Sequence, residues 1–588
     1  MKIKKILPVL LVGIVSFALV AGIIFAGSGG KEKEGAAVKP EKVEIDRDKL
    51  MRIANLFPNS TLTMEEKLKE LEWFVRASAP YRGMKVKSVA ESIAVHTWES
   101  ENLTKPFEEL TGIQVTHDII DEGSVVERIY TQVASGKKVY DIYVNDTDLV
   151  GTHLRKQTCI NLTEYMNGEG KDVTNPYLDL DDWLNLDFGM DYDGNLLQLP
   201  DQQFPNLYMF RYDWFNDPKY KSQFKQKYGY ELGVPLNWAA YEEIAEFWTN
   251  DIDMINGVKI YGHSDYGKPS PDLGWRFSDS WFGIAGVPDK GLPQGIPVDD
   301  WGLRAENKIP VGFSVERGGA LNSPAAIYAV EKFVKWLNEY APPYAKGLAV
   351  YEMGDDFGKG HVAQQIWFYT AFLGNEPYRT PGSPIVSKDG KPQYRVTVQP
   401  HGKYWQEGMK VGYQDVGAWT IPTNTVGKDR AAAWLWAQWV VSKTVDVDRF
   451  IAGTTPIRKS TIFSKWCDEH EGIWGGVITF YRSPMEVLYT PTGPNVPDYQ
   501  LFQEQMWHFI APCIEGEKTV EQAMNDLAMT CDILMKSLYL PKYSPKLAEA
   551  KGAEYWLNQP GAPWPEVPDE EPKTIDYDTL VKQWRATQ

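Results

Sequence analysis

The sequence predicts a mixed α/β protein that carries an N-terminal membrane segment. Strand-like and helix-like segments alternate from Met84 onwards, which is typical of an open parallel sheet with helices on both faces. The 588 residues are enough for at least two hydrophobic cores. Average shares of hydrophobic residues (43%) and charged residues (24%) exclude a disordered chain, a coiled coil and a polytopic membrane protein.

The first thirty residues indicate that the protein is exported. Lys2, Lys4 and Lys5 precede an uncharged run over residues 6–26, which as a helix would span about 30 Å, the thickness of a bilayer's hydrocarbon core. The run is longer than the apolar part of most secretory signals, about 7–15 residues. We therefore expect an uncleaved anchor with its lysines inside, while a long signal peptide cleaved near Ala26 is the alternative. No Cys lies near the end of the run, so a lipid anchor has no attachment site.

A tether and a helix connect this segment (1–30) to the main domain. Residues 31–62 are polar, rich in Gly, Lys, Glu and Pro, and lack apolar periodicity, which predicts a flexible tether. Leu68, Leu71 and Phe74 then recur at helical spacing, so residues 63–83 are expected to contain an amphipathic helix that leads into the domain.

The first α/β region follows Met84. Hydrophobic patterning predicts, in order, strand Val86–Thr97, helix Leu103–Leu110 ending at Gly112, strand Ile113–Ile119, helix Val125–Ala134 ending at Gly136, and strand Tyr140–Val144. Ligands of such sheets bind beyond the carboxyl ends of the strands. Here these ends are polar, with His-Thr-Trp-Glu at residues 96–99 and Asn-Asp-Thr-Asp at residues 145–148.

A second region begins near Gln203, after a hairpin turn at Asp193-Gly194. Its predicted elements are strand Leu207–Tyr212 and helices Trp238–Trp248, Pro324–Tyr340 behind an Asn322-Ser323 cap, Asp429–Val441, Gln500–Phe509 and Thr519–Leu538. Residues 262–320 are rich in Gly, Pro and aromatic residues and are expected to form long surface loops. The Pro-rich tail, residues 541–588, is expected to wrap around the surface.

Four cysteines, Cys159, Cys467, Cys513 and Cys531, are few for an exported chain of this length. They allow three pairings, and their spacing does not choose among them. Cys513 and Cys531 fall in a predicted helical hairpin, which makes their pairing the first one to examine.

Charge and motifs exclude several function classes. The net charge of −18 argues against a nucleic-acid partner, because a polyanion would be repelled. The chain contains no Gly-x-Ser-x-Gly nucleophile elbow, no Gly-x4-Gly-Lys-Ser/Thr phosphate loop and no His-Glu-x-x-His zinc motif. We expect no cofactor and no metal.

The order of several short motifs resembles a known family. In chain order they are Phe-Glu-Glu-Leu-Thr-Gly-Ile-Gln-Val at 107–115, Tyr-Asp-Ile-Tyr-Val-Asn-Asp at 140–146, Leu-Pro at 199–200 with Leu-Tyr-Met-Phe-Arg-Tyr-Asp-Trp-Phe at 207–215, Pro-Leu-Asn-Trp at 235–238, Asn-Ser-Pro-Ala-Ala at 322–326, Phe-Gly-Lys-Gly-His at 357–361, Gly-Ala-Trp-Thr-Ile-Pro at 417–422 and Thr-Pro-Ile-Arg-Lys at 455–459. Over residues 84–540 the chain is similar to the extracellular solute-binding proteins of ABC importers. Within them it resembles the large sugar-binding group that includes maltose-binding protein.

This resemblance implies a periplasmic-binding-protein type II fold, with two α/β lobes, a hinge and an interlobe cleft. Lobe 1 would comprise residues 84–202 and 411–455, and lobe 2 residues 203–410 and 456–540. The implied function is to capture a sugar, oligosaccharide or polyol at the cell surface or in the periplasm. A monomeric binding domain would close on the ligand and deliver it to ABC permease subunits.

Aromatic residues make up 13% of the chain, and an indole face packs well against the C–H face of a sugar, whose hydroxyls bond polar side chains. The candidate ligand residues at strand ends and at the crossing between lobes are Trp98, Glu99, Asn145, Asp146, Gln203 and Asn206. Those from segments that face the cleft in the family are Trp281, Trp367, Tyr369, Trp419 and Arg458. The indoles of the apolar helix, Trp434, Trp436 and Trp439, are instead expected to be core.

Two other function classes fit an exported, aromatic-rich protein. A glycoside hydrolase would need two carboxylates about 5–10 Å apart, and Glu99 with Asp146 is the pair that the strand ends suggest. A surface adhesion protein would be expected to show repeats or tandem β-modules, and the sequence shows neither.

Overall fold

The structure, a computed structural model, describes residues 44–289, 298–559, 564 and 570–587. The membrane segment predicted at residues 1–30 lies outside these residues. In the described part of the chain, no helix is long and apolar enough to cross a membrane. Residues 47–54, within the segment expected to be a tether, form a helix that buries Leu50 and Ile53.

Two five-stranded sheets organise the chain. Their strands are β1 (Lys85–Glu91), β2 (Gln114–Ile120), β3 (Ile142–Asp146), β4 (Leu199–Pro200), β5 (Phe204–Arg211), β6 (Gln364–Tyr369), β7 (Tyr394–Thr397), β8 (Gly412–Asp415), β9 (Gly417–Thr420) and β10 (Tyr489–Thr490). The first sheet has the order β2-β1-β3-β9-β4, with β1 parallel to β2 and β3, and β9 antiparallel to its neighbours. The second has the order β6-β5-β8-β10, and β7 also pairs with β5.

Helices cover both sheets. Those of eight or more residues are α1 (Arg47–Ala54), α2 (Met64–Ala77), α3 (Ala94–Asn102), α4 (Thr104–Thr111), α5 (Glu122–Ser135), α6 (Pro218–Tyr228), α7 (Trp238–Glu246), α8 (Pro324–Glu339), α9 (Gly427–Val440), α10 (Asp446–Gly453), α11 (Tyr499–Ile514), α12 (Val520–Ser537) and α13 (Tyr577–Ala586).

Capping residues explain why several predicted helices have the observed limits. Helices α4 and α5 end at Gly112 and Gly136, which both adopt the left-handed conformation that glycine accepts without strain. Ser323 caps α8 by accepting a hydrogen bond from the Ala326 N–H. These three helix ends, predicted from the sequence, are confirmed.

The first sheet is packed against tryptophan-rich helix α9. Trp434, Trp436 and Trp439 are fully buried there, as the sequence predicts, and Trp439 meets the ring of Phe74 from α2 edge to face at 5.6 Å. The second sheet has its own cores. The largest of these cores also includes three buried residues of the C-terminal tail, Tyr577, Leu580 and Trp584.

Three sequence predictions are wrong. The strand predicted at Val86–Thr97 ends at Glu91, and residues 94–102 form helix α3, because a continuous apolar run does not distinguish a buried strand from a buried helix. The predicted surface loops at 262–320 are largely buried in their described part, where Trp301 and Phe313 belong to the core. Cys513 and Cys531 are both free, as are Cys159 and Cys467, and all four are buried.

Two chain segments pass from one sheet to the other side by side. Residues 201–203 connect β4 to β5, and Val416 connects β8 to β9. The N–H groups of Asp201 and Gln202 both donate to the carbonyl oxygen of Gly417, at 2.8 and 3.1 Å. The sheets are thus joined by a short, hydrogen-bonded pair of backbone segments.

Arg449, from α10, anchors this crossing through a buried ionic cluster. Its Nε lies 2.5 Å from Glu99 Oε1 and its Nη2 lies 2.9 Å from Asp201 Oδ1. His96 Nε2 approaches the other oxygen of Asp201 at 3.3 Å. Burial opposes ionisation of Asp201, yet Arg449 and His96 together hold its pKa below the usual range.

We predict that Arg449→Met lowers the free energy of unfolding by about 3–5 kcal/mol, because it leaves the Glu99 and Asp201 carboxyls buried without their cation. Urea denaturation measures this loss. The matched control is Arg52→Met, which removes the surface ion pair with Glu109 and should cost about 0–1 kcal/mol. Equal losses in the two variants would contradict a structural role for the Arg449 cluster.

Candidate functional site

A cavity lies where the two sheets meet. Its volume is about 60 Å³, enough for a few water molecules, since one water needs about 10–15 Å³ of such space. Its wall is rich in carboxyl groups and aromatic rings. The lining residues are Glu122, Asp146, Asn206, Tyr266, Trp275, Arg276, Asp279, Val350, Tyr351, Met353, Trp367, Tyr369, Tyr413 and Asp415.

Sheet topology explains why carboxyl groups gather here. Strands β2 and β3 run in the same direction as β1 and end at the same edge, where Glu122 begins α5 and Asp146 ends β3. Asp415 ends β8, one residue before the chain crosses, and Asp146 pairs with Gly417 just after the crossing. The two sheets thereby contribute facing carboxyls.

Trp367 adopts a strained backbone conformation in the cavity wall. Its φ of 58° is in the left-handed region, which is unusual for a bulky residue, and the pairing of β6 with β5 is irregular at this point. Arg276 donates to the carbonyl oxygens of Ile366 (3.0 Å) and Trp367 (2.9 Å) and so holds the distorted strand. Such strain is found mostly at functional sites.

Four buried polar atoms in the wall lack ordinary hydrogen-bond partners within the described chain. They are Asn206 Oδ1, Trp275 Nε1, Trp367 Nε1 and Asp415 Oδ1, the last of which meets only the neighbouring Asp146 carboxyl. An unsatisfied buried polar atom costs free energy, and natural structures keep few of them. Two acceptors and two donors are therefore available to a ligand.

Hydroxyl groups orient the carboxyls of the cavity. The Tyr369 hydroxyl donates to Asp415, the Tyr351 hydroxyl to Glu122 at 3.4 Å, and Ser278 Oγ to Asp279 at 2.9 Å. Arg276 is the cation in the described wall, and it is engaged with the buried Asp265 carboxylate at 2.9 Å. The cavity carboxyls thus have no free countercharge in the wall.

The environment raises the pKa of these carboxyl groups. Burial is the main cause at Glu122, Asp146, Asp279 and Asp415, and repulsion from neighbouring carboxyls adds to it at each of them. Glu122 and Asp146 keep some exposed surface as residues, yet desolvation of their carboxyl groups still dominates. The folded protein therefore holds protons here at pH values where the unfolded chain has lost them.

This arrangement predicts that the ligand-free protein loses stability as pH rises. In the unfolded chain the carboxyls titrate near pH 4, whereas in the folded protein their pKa is higher, so between these values the folded state binds more protons. The free energy of unfolding then falls with increasing pH. Thermal unfolding at intervals from pH 4.5 to 8.5 measures this, and Asp415→Asn should flatten the profile; a wild-type melting temperature that rises over the range would contradict the prediction.

A second cluster of potential ligand groups lies outside the cavity. Within the described residues, His96, Glu99 and Asp201 have ligand-type atoms within 4.8 Å of one another. Arg449 bonds both carboxylates, and against the effect of burial the neighbouring carboxylates raise the pKa of His96 to about 10, so two cations balance Glu99 and Asp201 without a metal ion. This cluster stabilises the chain crossing between the two sheets and does not line the cavity.

Four of the eleven residues proposed from sequence line the cavity: Asp146, Asn206, Trp367 and Tyr369. They come from both sheets, with Asp146 at the end of β3, Asn206 in β5, and Trp367 and Tyr369 in β6.

Three other proposed residues, Trp98, Glu99 and Asn145, lie outside the cavity wall. Trp98 lies in α3 and packs on the core, because the preceding strand ends earlier than predicted. Glu99 is bound to Arg449. Asn145 accepts hydrogen bonds from Gln198 and Thr420 and borders a separate, mostly apolar cavity beneath α5.

The other four proposed residues are also part of the packing. Gln203 Oε1 accepts a hydrogen bond from Gln414 at 2.7 Å in the crossing. Trp281 and Trp419 are fully buried in the cores of the second and first sheets. The Arg458 guanidinium lies 3.8 Å from the ring centroid of Trp183 and bonds backbone carbonyls.

Sequence reasoning missed the other lining residues. Glu122 had a usable signal, because it follows the end of the second strand just as Asp146 follows the third. Tyr266, Trp275, Arg276 and Asp279 belong to residues 262–320, which the sequence predicts as surface loops. The remaining missed residues, from two other segments of the chain, are Val350, Tyr351, Met353, Tyr413 and Asp415.

Comparison with known proteins identifies the fold and the family. A family model described as bacterial extracellular solute-binding protein matches residues 102–472, more than half of the chain. No curated protein matches the sequence.

Three solved structures illustrate the fold match. The solute-binding protein of an ABC transporter from Agrobacterium radiobacter K84, in complex with ribitol, is 18% identical with a TM-score of 0.60, covering 77% of this chain and 99% of that one. Maltose-bound MalE3 of T. maritima is 15% identical with a TM-score of 0.57, covering 77% and 100%. The D-mannitol complex from Agrobacterium vitis S4 is 16% identical with a TM-score of 0.55, covering 78% and 100%.

The mixed α/β fold is therefore that of two-lobed solute-binding proteins, and the family match over residues 102–472 agrees with it. The chain belongs to the bacterial extracellular solute-binding protein family.

Proposed function

We propose that the protein captures a small sugar or polyol outside the cytoplasm and delivers it to the permease of an ABC importer. The observation that supports this most directly is the cavity between the sheets, whose wall holds unpartnered polar atoms from several elements. The ribitol, D-mannitol and maltose bound by structurally similar proteins supply the ligand class.

The cavity wall suits a polyhydroxylated ligand. The rings of Trp367 and Tyr369 line the cavity and would pack against C–H groups of the ligand, since aromatic side chains give large contact area with little loss of rotamer entropy. Asn206 Oδ1 and Asp415 Oδ1 would accept hydrogen bonds from ligand hydroxyls, and the Trp275 and Trp367 indole N–H groups would donate to them.

The cavity is smaller than a monosaccharide. A volume of about 60 Å³ holds about four or five water molecules, so even one sugar ring would require the sheets to move apart, and several rings would require a larger opening. Among the ligand classes expected from the sequence we therefore propose a monosaccharide or a short polyol.

Delivery would depend on closure about the crossing at residues 201–203 and Val416. Because Asp146 and Asn206 come from different sheets, a ligand can contact both only when the sheets are close together. Such contacts shift an open–closed equilibrium toward the closed form. The closed form would then dock on the permease.

Membrane attachment is part of this proposal. The lysines and the uncharged run of residues 6–26 would hold the binding domain at the outer face of the membrane, unless the run is cleaved as a signal peptide. N-terminal sequencing of the native protein distinguishes these two states.

The hydrolase alternative has no support. Its proposed pair is separated, because Glu99 is buried against Arg449 and does not line the cavity with Asp146. The matched family consists of solute-binding proteins.

Titration of the protein with pentoses, hexoses, polyols and maltose should produce a saturable change in tryptophan fluorescence for a small ligand, because Trp275 and Trp367 lie in the wall. Maltose should bind more weakly than the best monosaccharide or polyol. A protein that responds to none of these compounds, yet releases reducing ends from a polysaccharide, would overturn the transport proposal.

The Trp367→Ala variant should bind the same ligand about 1–3 kcal/mol more weakly, the usual loss for a truncated aromatic anchor. Calorimetric titration measures the affinity, and circular dichroism confirms folding. Trp98→Ala is the control, since Trp98 lies in α3 outside the cavity. Equal effects of the two substitutions would place the ligand elsewhere.

A further inference from the structure

The cavity contains more acidic groups than a neutral ligand requires. Burial raises their pKa in the ligand-free protein, and a cationic ligand would lower it again by favouring the ionised form. Glu122, Asp146, Asp279 and Asp415 all line a space of about 60 Å³. Hydroxyl groups of a sugar need acceptors, but uncharged amide or carbonyl oxygens would serve them without the cost of burying four carboxyls.

The nearby cations are already engaged. Arg276 bonds Asp265 through Nη2 at 2.9 Å and Nε at 3.3 Å, and it also donates to the carbonyl oxygens of Ile366 and Trp367. Lys410 opposes the rise in the pKa of Asp279, but its Nζ lies 2.7 Å from Asp300 Oδ2, with which it forms an ion pair. Neither side chain is free to balance the charge of the cavity.

Two acceptors in the wall are both deeply buried and unpartnered. Asn206 and Asp415 are each 8% exposed, and the Oδ1 atom of each lacks an N–H or hydroxyl donor in the described chain. Asn206 Nδ2 is fixed by its hydrogen bond to Ser280 Oγ at 3.0 Å, which leaves the oxygen as the free atom. A ligand that satisfies these two acceptors must supply hydrogen-bond donors.

The aromatic lining adds a further attraction for positive charge. The rings of Tyr351 and Tyr369 border the cavity, and the face of a tyrosine ring attracts a cation. The Tyr266 and Tyr413 rings already have Arg276 and Lys410 over them, at 5.3 and 5.4 Å from the ring centroids. Carboxylates combined with aromatic rings are thus better matched to an ammonium group, with its three donors, than to a hydroxyl.

The geometry does not favour a metal ion. Metal ligands converge on one point, and in the described part of the chain the set of such atoms within 4.8 Å of one another is the Arg449-bound cluster of His96, Glu99 and Asp201. The cavity carboxyls do not form such a set among the described residues.

We propose that the ligand of this cavity is an amine-bearing sugar or polyol, whose ammonium group is held by Asp279 and Asp415. This inference rests on the proposed function, since it specifies the substrate class of the same site. The hydroxyls of the ligand would then use Asn206 and the indole N–H groups.

The test compares neutral and amine-bearing members of matched pairs by calorimetric titration at pH 7.5. The pairs are D-glucose with D-glucosamine, D-galactose with D-galactosamine, D-mannose with D-mannosamine, and D-sorbitol with 1-amino-1-deoxy-D-sorbitol. In the pair that binds best, the amine should bind at least about tenfold more tightly, the effect of one charge-assisted hydrogen bond.

Asp279→Asn and Asp415→Asn keep the shape of the side chain but remove its ability to ionise beside a bound ammonium group, so each should reduce the preference for the amine by about tenfold. The matched control is Asp289→Asn, which neutralises another buried carboxyl outside the cavity wall and should leave the preference unchanged. If a variant does not fold, the comparison of amine-bearing and neutral ligands with the wild-type protein still tests the proposal.

The outcomes separate the two proposals. Neutral members that bind as tightly as the amines, or more tightly, would overturn the inference and leave the proposed function intact. Binding of no member of any pair, and of none of the neutral compounds titrated above, would overturn the proposed function itself. An amine preference that survives in both Asp→Asn variants would overturn the assignment of Asp279 and Asp415.

Discussion

The structure depends on the paired crossing of two backbone segments between the sheets. The carbonyl of Gly417 accepts hydrogen bonds from both Asp201 and Gln202, which brings the segments into close contact. A Cβ atom at Gly417 would lie 2.3 Å from Gln202 Nε2, so a larger residue would displace the Gln202 side chain from its hydrogen bond to Glu91. Arg449 fixes Asp201 from the side. The cavity lies next to this crossing, since Asp146 pairs with Gly417 and Asp415 directly precedes Val416.

The site departs from the rules that stabilise the rest of the fold. The cores bury tryptophans with good edge-to-face contacts, whereas the cavity holds four carboxyls, unpartnered polar atoms and a strained Trp367. Local conflicts of this kind lower stability and persist where function requires them. They agree with a binding site that is completed by its ligand.

Local sequence signals predicted the parts of the fold that local chemistry controls. Gly112, Gly136 and Ser323 end or begin helices because of their own backbone preferences, and the apolar surroundings of Trp434 indicated burial. The predictions were wrong where one sequence pattern is compatible with two different local structures. The apolar run after Val86 fits a strand or a helix, and the Gly- and Pro-rich region 262–320 indicates irregular backbone without showing whether it is buried.

The sequence by itself determined the α/β class, the family motifs and the chemistry available at the ends of the strands. Only the tertiary structure decided which of those polar residues share a cavity. Trp98 and Glu99 lie outside the site because β1 ends at Glu91 and the following residues form α3. Asp279 and Asp415, from distant segments of the chain, line the cavity instead. The physical reason is that proximity across the crossing is set by the pairing of β5 with β8 and of β3 with β9, which joins residues far apart in the chain.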